Sequence, residues 1–179
     1  MESGGFSILR LDAAAAGDHA PALAELLREA VNHGASVSFR DVPTPEEALA
    51  FWRGVARTVA DGRCDLLVAV RDGAVIGTVQ LHTVPMTNQR HRGEVAKMIV
   101  HTGARRQGVG AALMRAVEAA ARDRGLSTLV LDTAKGDPAE AMYRKLGWTE
   151  AGSIPDYALD PAGRMRATVL FYKLLGRDG

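Results

Sequence analysis

Residues 104–113 read "ARRQGVGAAL" and set two arginines, Arg105 and Arg106, beside Gln107-Gly108-Val109-Gly110, just ahead of an alanine-rich helical run. A helix N-terminus carries partial positive charge and unpaired N–H groups, so it favours anions and repels cations. Two guanidinium groups at such a place make sense when something strongly anionic binds from outside. Gly108 and Gly110 lack Cβ atoms, so the backbone there can curl and approach a ligand closely. Successive N–H groups of Gln107 to Ala111 then point into one concavity, a nest for phosphate oxygens, to which Arg105 and Arg106 add charge-assisted contacts. On spacing alone, a glycine-rich surface loop with solvated arginines accounts for the stretch equally well.

Two familiar phosphate motifs are excluded. Nothing in the chain fits G-x-x-x-x-G-K-[ST], so a mononucleotide P-loop is ruled out. The dinucleotide fingerprint is nearer, since Gly108-x-Gly110 opens a helix and Asp132 ends the next strand about 20 residues on. Its third glycine position is Leu113, too large for close helix–strand packing, and several residues, both arginines among them, separate the preceding strand from Gly108.

Working outward, "RGEVAKMIVH" (92–101) before the stretch reads as a strand, and Ala111–Arg124 after it as a helix with Leu113, Met114, Val117 and Ala121 inward, ending at Gly125. Upstream, "FSILRL" (6–11) reads as a strand, and His19–His33 as a helix with Leu23, Leu26, Leu27, Ala30 and Val31 on one face, closing at Gly34. Thr44 caps a second helix, with Pro45 in its first turn and Glu47 completing a capping box; it carries Leu49, Trp52, Val55, Ala56 and Val59 and ends near Gly62. "CDLLVAV" (64–70) and "VIGTVQLH" (75–82) form a hairpin about Asp72-Gly73. Downstream, "STLVLD" (127–132) has the apolar pattern of a strand buried on both faces. "DPAEAMYRKLGW" (137–148) is a short helix with Asp137 as N-cap and Pro138 at its first position, and "TEAG" (149–152) and "MRATVLFYKLL" (165–175) are two last strands. The order β-α-α-β-β-β-α-β-α-β-β describes an α/β protein with a mixed sheet.

Composition narrows the function classes. A chain of 179 residues is comfortable as one domain, and 47% apolar residues supply an ample core. A net charge of +1 argues against a general nucleic-acid or membrane binder. Cys64 is the single cysteine, so an internal disulfide is excluded, and the start "MESGGFSILRL" has no basic n-region followed by an apolar one. No apolar run reaches the roughly 20 residues needed to span a bilayer. The expectation is a cytoplasmic protein with one domain over residues 1–179.

At this point two motifs carry a family resemblance. "RRQGVGAALM" resembles the R/Q-x-x-G-x-G/A segment of the GNAT N-acetyltransferases, which bind the pyrophosphate of acetyl-CoA there. "AEAMYRKLGW" is similar to that superfamily's later helix, with its tyrosine and terminal L-G-[FW], and the two occur in the right order with "STLVLD" between them. The resemblance implies a GNAT-like single domain, α/β (α+β), with a mixed, mostly antiparallel central sheet of about seven strands flanked by about four helices. "HGASVSF", "GEVAKMIV", "LDTAKGDPAEAMY" and "PDYALDPAGRMRATVLFYKLL" further resemble the tabtoxin-resistance acetyltransferases, which acetylate a β-lactam amino acid toxin. One departure concerns the asparagine that many superfamily members carry seven residues before the tyrosine to bond the pantetheine arm; here that position is Gly136.

Acetyl transfer from a thioester to an amine sets three demands. The amine, with pKa near ~10, must lose its proton; the reactants must be held together; and the thiolate, near pKa ~8.5, leaves better when offered a proton. The resemblance implies Tyr143 as that acid, the alternative being a core tyrosine. Glu94 and Asp132 are the candidate bases, charged residues in otherwise apolar strands that neighbouring positions would bring to one cleft, where partial burial would tune them. A strand-start surface residue and a turn cap are the plain alternatives for these two. Met98, Ile99 and Val100 would offer backbone groups to pantetheine as an added strand does, and Arg105, Arg106, Gln107, Gly108, Val109, Gly110 and Ala111 would hold the pyrophosphate. Cys64 at the head of a strand shows no sign of a reactive setting, and the five histidines, His33 and His101 among them, show no metal-ligand spacing, so no metal is expected.

The acceptor should lie between the loop "GASVSFRD" and the segment "IPDYALDPAGR", with Ser36, Phe39, Arg40, Asp156 and Tyr157 as candidate contacts and Asp41 beside them. Arg40, Asp41, Asp156 and Tyr157 are polar enough to read an amino acid's charges, and equally suit a plain surface. Three readings stay open: a small-molecule amine acetyltransferase using acetyl-CoA, acting alone or as a homodimer; a protein or peptide N-acetyltransferase, which would want an acidic groove; and a non-catalytic acyl-CoA-binding module.

Overall fold

The structure, a computed structural model, describes residues 5–35, 37–160 and 162–176. Its elements are β1 (Ser7–Leu11), α1 (Ala13–Asn32), α2 (Pro45–Ala60), β2 (Cys64–Arg71), β3 (Ala74–Thr83), β4 (Arg92–Val100), α3 (Val109–Asp123), β5 (Thr128–Ala134), α4 (Ala139–Lys145), β6 (Thr149–Leu159) and β7 (Met165–Leu174). The seven strands form one sheet in the order β1-β2-β3-β4-β5-β7-β6, and every pairing is antiparallel except β4 with β5. The expected architecture of a mixed, mostly antiparallel seven-stranded sheet with four helices is therefore the observed one.

The sheet is buried on both faces. Leu113, Met114 and Val117 of α3 pack on Val79, Leu81, Val95, Leu129 and Phe171. Leu23 and Leu27 of α1 and Trp52 of α2 pack on Leu66, Val68 and Ile99 from the other side. Two charged groups inside this frame are paired, as burial requires. The Asp65 carboxylate accepts from Arg10 Nη2 at 2.8 Å and Arg124 Nη2 at 2.7 Å, joining β1, β2 and the end of α3. Glu118 of α3 accepts from Trp148 Nε1 at 3.0 Å and from Lys173 Nζ at 2.8 Å.

Three boundaries differ from the sequence reading. Helix α1 begins at Ala13, before the expected His19, because Asp12 caps it (Ala15 N donates to Oδ1 at 2.8 Å) and Ala13–Ala16 has high helix propensity, so that Pro21 lies inside the helix. In α4 the capping side chain is Asp137, whose Oδ1 accepts from Ala139 N at 2.8 Å, although the regular helix starts after Pro138. Strand β6 runs well past "TEAG" to Leu159. It is an exposed edge strand with register shifts between Glu150 and Gly152 and between Ile154 and Ala158, which erase the alternation a sequence pattern relies on, and Pro155 is tolerated at an edge.

Two irregularities position the site. Strands β4 and β5 pair through Arg92–Thr128, Gly93–Leu129 and Glu94–Val130 and no further, although they continue to Val100 and Ala134. Between β3 and β4, Thr78 faces Ile99 and Gln80 faces Ala96, so Val79 alone opposes both Lys97 and Met98. This β-bulge puts Lys97 at φ 52° and turns the rest of β4.

Candidate active site

Beyond Glu94 the edge of β4 that faces β5 has no ladder, while its other edge stays bonded to β3 through Ile99 and Val100. Met98, Ile99 and Val100 thus present backbone groups to a gap in the middle of the sheet, as a strand-like ligand would need. At the end of β4 the chain passes through a short turn (Thr102–Ala104) into the 105–111 segment. Glu29 of α1 anchors that turn by accepting from both the N–H and the hydroxyl of Thr102. Burial pushes the Glu29 carboxyl up, but the bonds from Thr102 outweigh it and the net direction is down.

The segment itself is curled. Arg106 and Gly108 both take left-handed backbone, at φ 61° and 84°, with Gln107 between them tied by Nε2 to Gly103 O at 2.9 Å. The first backbone bond of α3 runs from Ala112 N to Gly108 O at 3.0 Å, so the N–H groups of Val109, Gly110 and Ala111 precede the helical ladder and face outward at its start. Arg105 donates through Nε to Val100 O at 3.3 Å, which leaves the rest of its guanidinium exposed beside this nest. The residues fit a pyrophosphate. Glycine at 110 also serves packing, since a Cβ there would meet Met142 Sδ of α4 at 3.0 Å, while the conformational need for glycine lies at Gly108.

Tyr143 lies on α4 with its ring 5.7 Å from Phe171 and 6.2 Å from Trp148. Burial pushes its hydroxyl far above the ordinary phenol range, and the charges of Asp137 and Asp132 push the same way. It keeps its proton at neutral pH, as a donor must, although the same shift makes it a weaker acid.

Glu94 and Asp132 share one face of the sheet: Glu94 stands opposite Val130, and two residues on the side chain returns to the same side. Both are exposed, which corrects the expectation of partial burial. Glu94 is the last residue of β4 paired with β5, and Asp132, paired with Leu170 of β7, has no partner on β4. Arg92 Nη1 donates to Glu94 Oε1 at 2.9 Å, and the Thr168 hydroxyl donates to Asp132 Oδ2 at 3.0 Å.

Asp132 lines a cavity of about 310 Å³ walled by Phe39 and Arg40 of the α1–α2 loop, Tyr157 of β6, and Arg166 and Thr168 of β7. Phe39, Arg40 and Tyr157 therefore sit where the sequence placed an acceptor. Asp156 does not line it; it takes left-handed backbone at φ 50° on the exposed edge strand, and Asp41 faces solvent, 3.7 Å from Arg40 Nε. Ser36 lies outside the described residues. His33 and His101 have local duties, bonding Glu29 O at 2.8 Å and accepting from Gly103 N at 3.1 Å. Among the described residues no three His, Cys, Asp or Glu side chains converge as a metal site, and no helix is long and apolar enough to cross a membrane.

The sequence reading missed Lys97, Thr168 and Arg166. Lys97 donates to Ser38 Oγ at 2.8 Å, directly behind the cavity wall, with its ammonium 5.9 Å from the Phe51 ring centre. Its one outward sign was a cation in the apolar run "EVAKMIV".

Comparison with known proteins decides the family. The sequence pattern of the acetyltransferase (GNAT) family matches residues 22–148, more than half of the chain. The chain belongs to the GNAT acetyltransferases. It is an acetyl-CoA-dependent N-acetyltransferase, and acetyl-CoA, when bound, supplies the acetyl group as a thioester. Among curated proteins it is 34% identical over 106 residues to an IAA acetyltransferase of Azospirillum brasilense, covering 59% of this chain and 67% of that one. It is 33% identical over 93 residues to an aminoglycoside N(6')-acetyltransferase type 1 of Klebsiella aerogenes, covering 50% and 61%. Among solved structures, a ribosomal-protein-alanine N-acetyltransferase from Brucella melitensis superposes with TM-score 0.80 at 24% identity over 94% of this chain and 99% of that one. A GNAT phosphinothricin acetyltransferase from Sinorhizobium meliloti in complex with acetyl-CoA gives 0.76 at 23% identity over 96% and 89%. These two likenesses speak for the GNAT fold.

Proposed function

We propose that this GNAT acetyltransferase transfers the acetyl group of acetyl-CoA to a primary amine of a small molecule, by direct attack while both are bound. The observation that carries this reading is the position of Asp132, on the stretch of β5 that no longer pairs with β4 and in the wall of the 310 Å³ cavity. A group there faces an acceptor on one side and the gap between β4 and β5 on the other. The 105–111 segment would hold the pyrophosphate, and the free edge of Met98–Val100 the pantetheine.

Three side chains then move protons. Asp132, with Glu94 beside it, draws a proton from the acceptor's ammonium, directly or through a water. Tyr143 gives its proton to the departing sulfur. The presence of this set speaks against a non-catalytic acyl-CoA-binding module. A basic peptide acceptor would want an acidic groove, whereas the cavity wall carries Arg40 and Arg166. An antibiotic or toxin amine, as the resemblance to the tabtoxin-resistance branch implies, is the finer form of the reading, and resistance its biological role.

Direct attack is favoured because Cys64 is a poor acyl carrier. It is buried, and burial above all pushes its thiol up to about 12, with the Asp65 charge adding to the shift. A thiol-release screen of acetyl-CoA against amino acids, aminoglycosides, polyamines and histone-like peptides tests the reading, with mass spectrometry of the enzyme held without acceptor. Turnover on a small amine and no acetylated protein is the expected result. Turnover confined to peptides, or an acetyl group on Cys64, would overturn it.

A further inference from the structure

Resting on the acetyltransferase reading above, we infer that the acceptor carries an anionic group in addition to its amine, held by Arg166 and Arg40 at the end of the cavity away from the reacting centre. The cavity wall holds two guanidinium groups and one carboxylate, Asp132. An amine directed to Asp132 accounts for the negative charge. The positive charges are then left over, and neither is firmly used within the protein.

Among the described residues Arg40 pairs only with Asp41, at 3.7 Å, with both side chains largely in water (62% and 80% exposed), a contact of little consequence. Arg166 donates one nitrogen to Lys135 O at 3.0 Å and lies 3.9 Å from Asp160, whose carboxylate is already bonded to Arg164 N at 2.9 Å and Arg164 Nε at 3.0 Å. Its guanidinium, 44% exposed, keeps free N–H groups in the fork geometry that suits a carboxylate or phosphonate.

Lys97 strengthens the field from behind. Its partly buried ammonium has Ser38 Oγ as hydrogen-bond partner, and Ser38 is itself part of the cavity wall. Desolvation lowers its pKa, with the Asp132 charge working the other way. A partly desolvated cation gains from an anion brought near. The cavity wall itself carries Arg40 and Arg166 against the one carboxylate of Asp132, with Glu94, Asp41 and Asp160 outside it, and so disfavours a polycation such as an aminoglycoside or a polyamine. The pocket therefore selects amines that are zwitterions or anions as a whole.

The test uses the full chain, acetyl-CoA and matched acceptors that differ only in the anion: each protein amino acid, β-alanine and γ-aminobutyrate against their amides, and lysine against cadaverine, with kanamycin and spermidine as polycations. Thiol release gives kcat/KM, and calorimetry reports acetyl-CoA binding separately. The carboxylate member of an accepted pair should be favoured roughly ten- to a hundredfold, the range of one or two charge-assisted bonds. Arg166→Ala should raise KM for that member by a similar factor with kcat nearly unchanged, and leave the amide as it was. Arg166→Glu should invert the preference, a gain that misfolding cannot mimic. Acetyl-CoA binding with the amides or polycations preferred, with no anionic amine accepted, or with Arg166→Ala affecting both members equally, would overturn this inference alone. Failure to bind acetyl-CoA would overturn the reading beneath it as well.

Discussion

Glu94 and Asp132 stand on one face of neighbouring strands but answer to different partners: an arginine, Arg92, donates to Glu94 at 2.9 Å, and a hydroxyl, Thr168, donates to Asp132 at 3.0 Å. The guanidinium ties Glu94 beside the strand, whereas Asp132 lines the cavity. Asp132→Asn should therefore lower kcat/KM by about 10² to 10⁴, and Glu94→Gln by less than about tenfold. Loss of the acidic limb of the pH profile should accompany the first substitution only. In the wild type the limb is assigned to the two carboxylates together. Near-normal rates in the double variant would make both residues structural.

Gly108 and Gly110 should part company under substitution. Gly108→Ala forces a side chain into left-handed backbone at φ 84°, a cost of about 1–2 kcal/mol, and displaces the N–H groups ahead of α3. Acetyl-CoA affinity should fall together with Tm. Gly110→Ala keeps ordinary helical backbone and meets only the flexible end of Met142, at 3.0 Å. Its defect should shrink when combined with Met142→Ala, with a coupling of about 0.5–3 kcal/mol read from denaturant melts. Equal losses in both single variants, and no coupling, would mean that glycine at 110 serves the phosphate nest and not the packing against Met142.

How far the sequence reaches is visible in these same residues. Helix stripes, the capping box at Thr44 and Glu47 and the hairpin turn are local patterns, and they are found as read. What escaped is set by register. The bulge at Lys97 and the end of β4–β5 pairing at Glu94 are relations between strands that no window along the chain contains. Arg166 was read merely as part of the last strand, because its place in the cavity follows from β7 lying between β5 and β6. The exposure of Glu94 and Asp132 was misjudged as well: both have paired strand neighbours, and an apolar strand pattern does not report whether the face they point to is covered.

The Asp65 cluster gives a prediction about acid stability. Burial raises this carboxyl, but hydrogen bonds and charge from Arg124 and Arg10 outweigh it, so its folded pKa lies below the ordinary aspartate value of ~3.9. Its contribution is present above that value and is lost as the pH falls through the folded pKa. Asp65→Asn should cost about 3 kcal/mol at pH 7, at the low end for a broken buried pair because Arg10 and Arg124 both reach solvent. Urea melts of the two proteins should converge as the pH is lowered well below ~3.9. A difference that persists unchanged in acid would show that shape, not charge, holds β1, β2 and α3 together here.

The last prediction separates chemistry from packing at Tyr143. The ring is a core group, 5% exposed between Phe171 and Trp148, and the hydroxyl is the part offered as an acid. Tyr143→Phe leaves the ring contacts in place, so Tm and acetyl-CoA affinity should stay close to wild type while kcat falls by about 10² to 10⁴. Tyr143→Ala removes the ring as well and should cost about 3–5 kcal/mol of stability. Since burial keeps the phenol protonated far above neutrality, the acidic limb of the rate profile should be the same in Tyr143→Phe as in wild type, in contrast to Asp132→Asn. The phenylalanine variant should also recover most with acceptors supplied alongside thioesters of more acidic thiols, which need no proton to leave. A phenylalanine variant that turns over at the normal rate, with the alanine variant merely unstable, would reduce Tyr143 to a packing residue and leave the departing sulfur to take its proton from water.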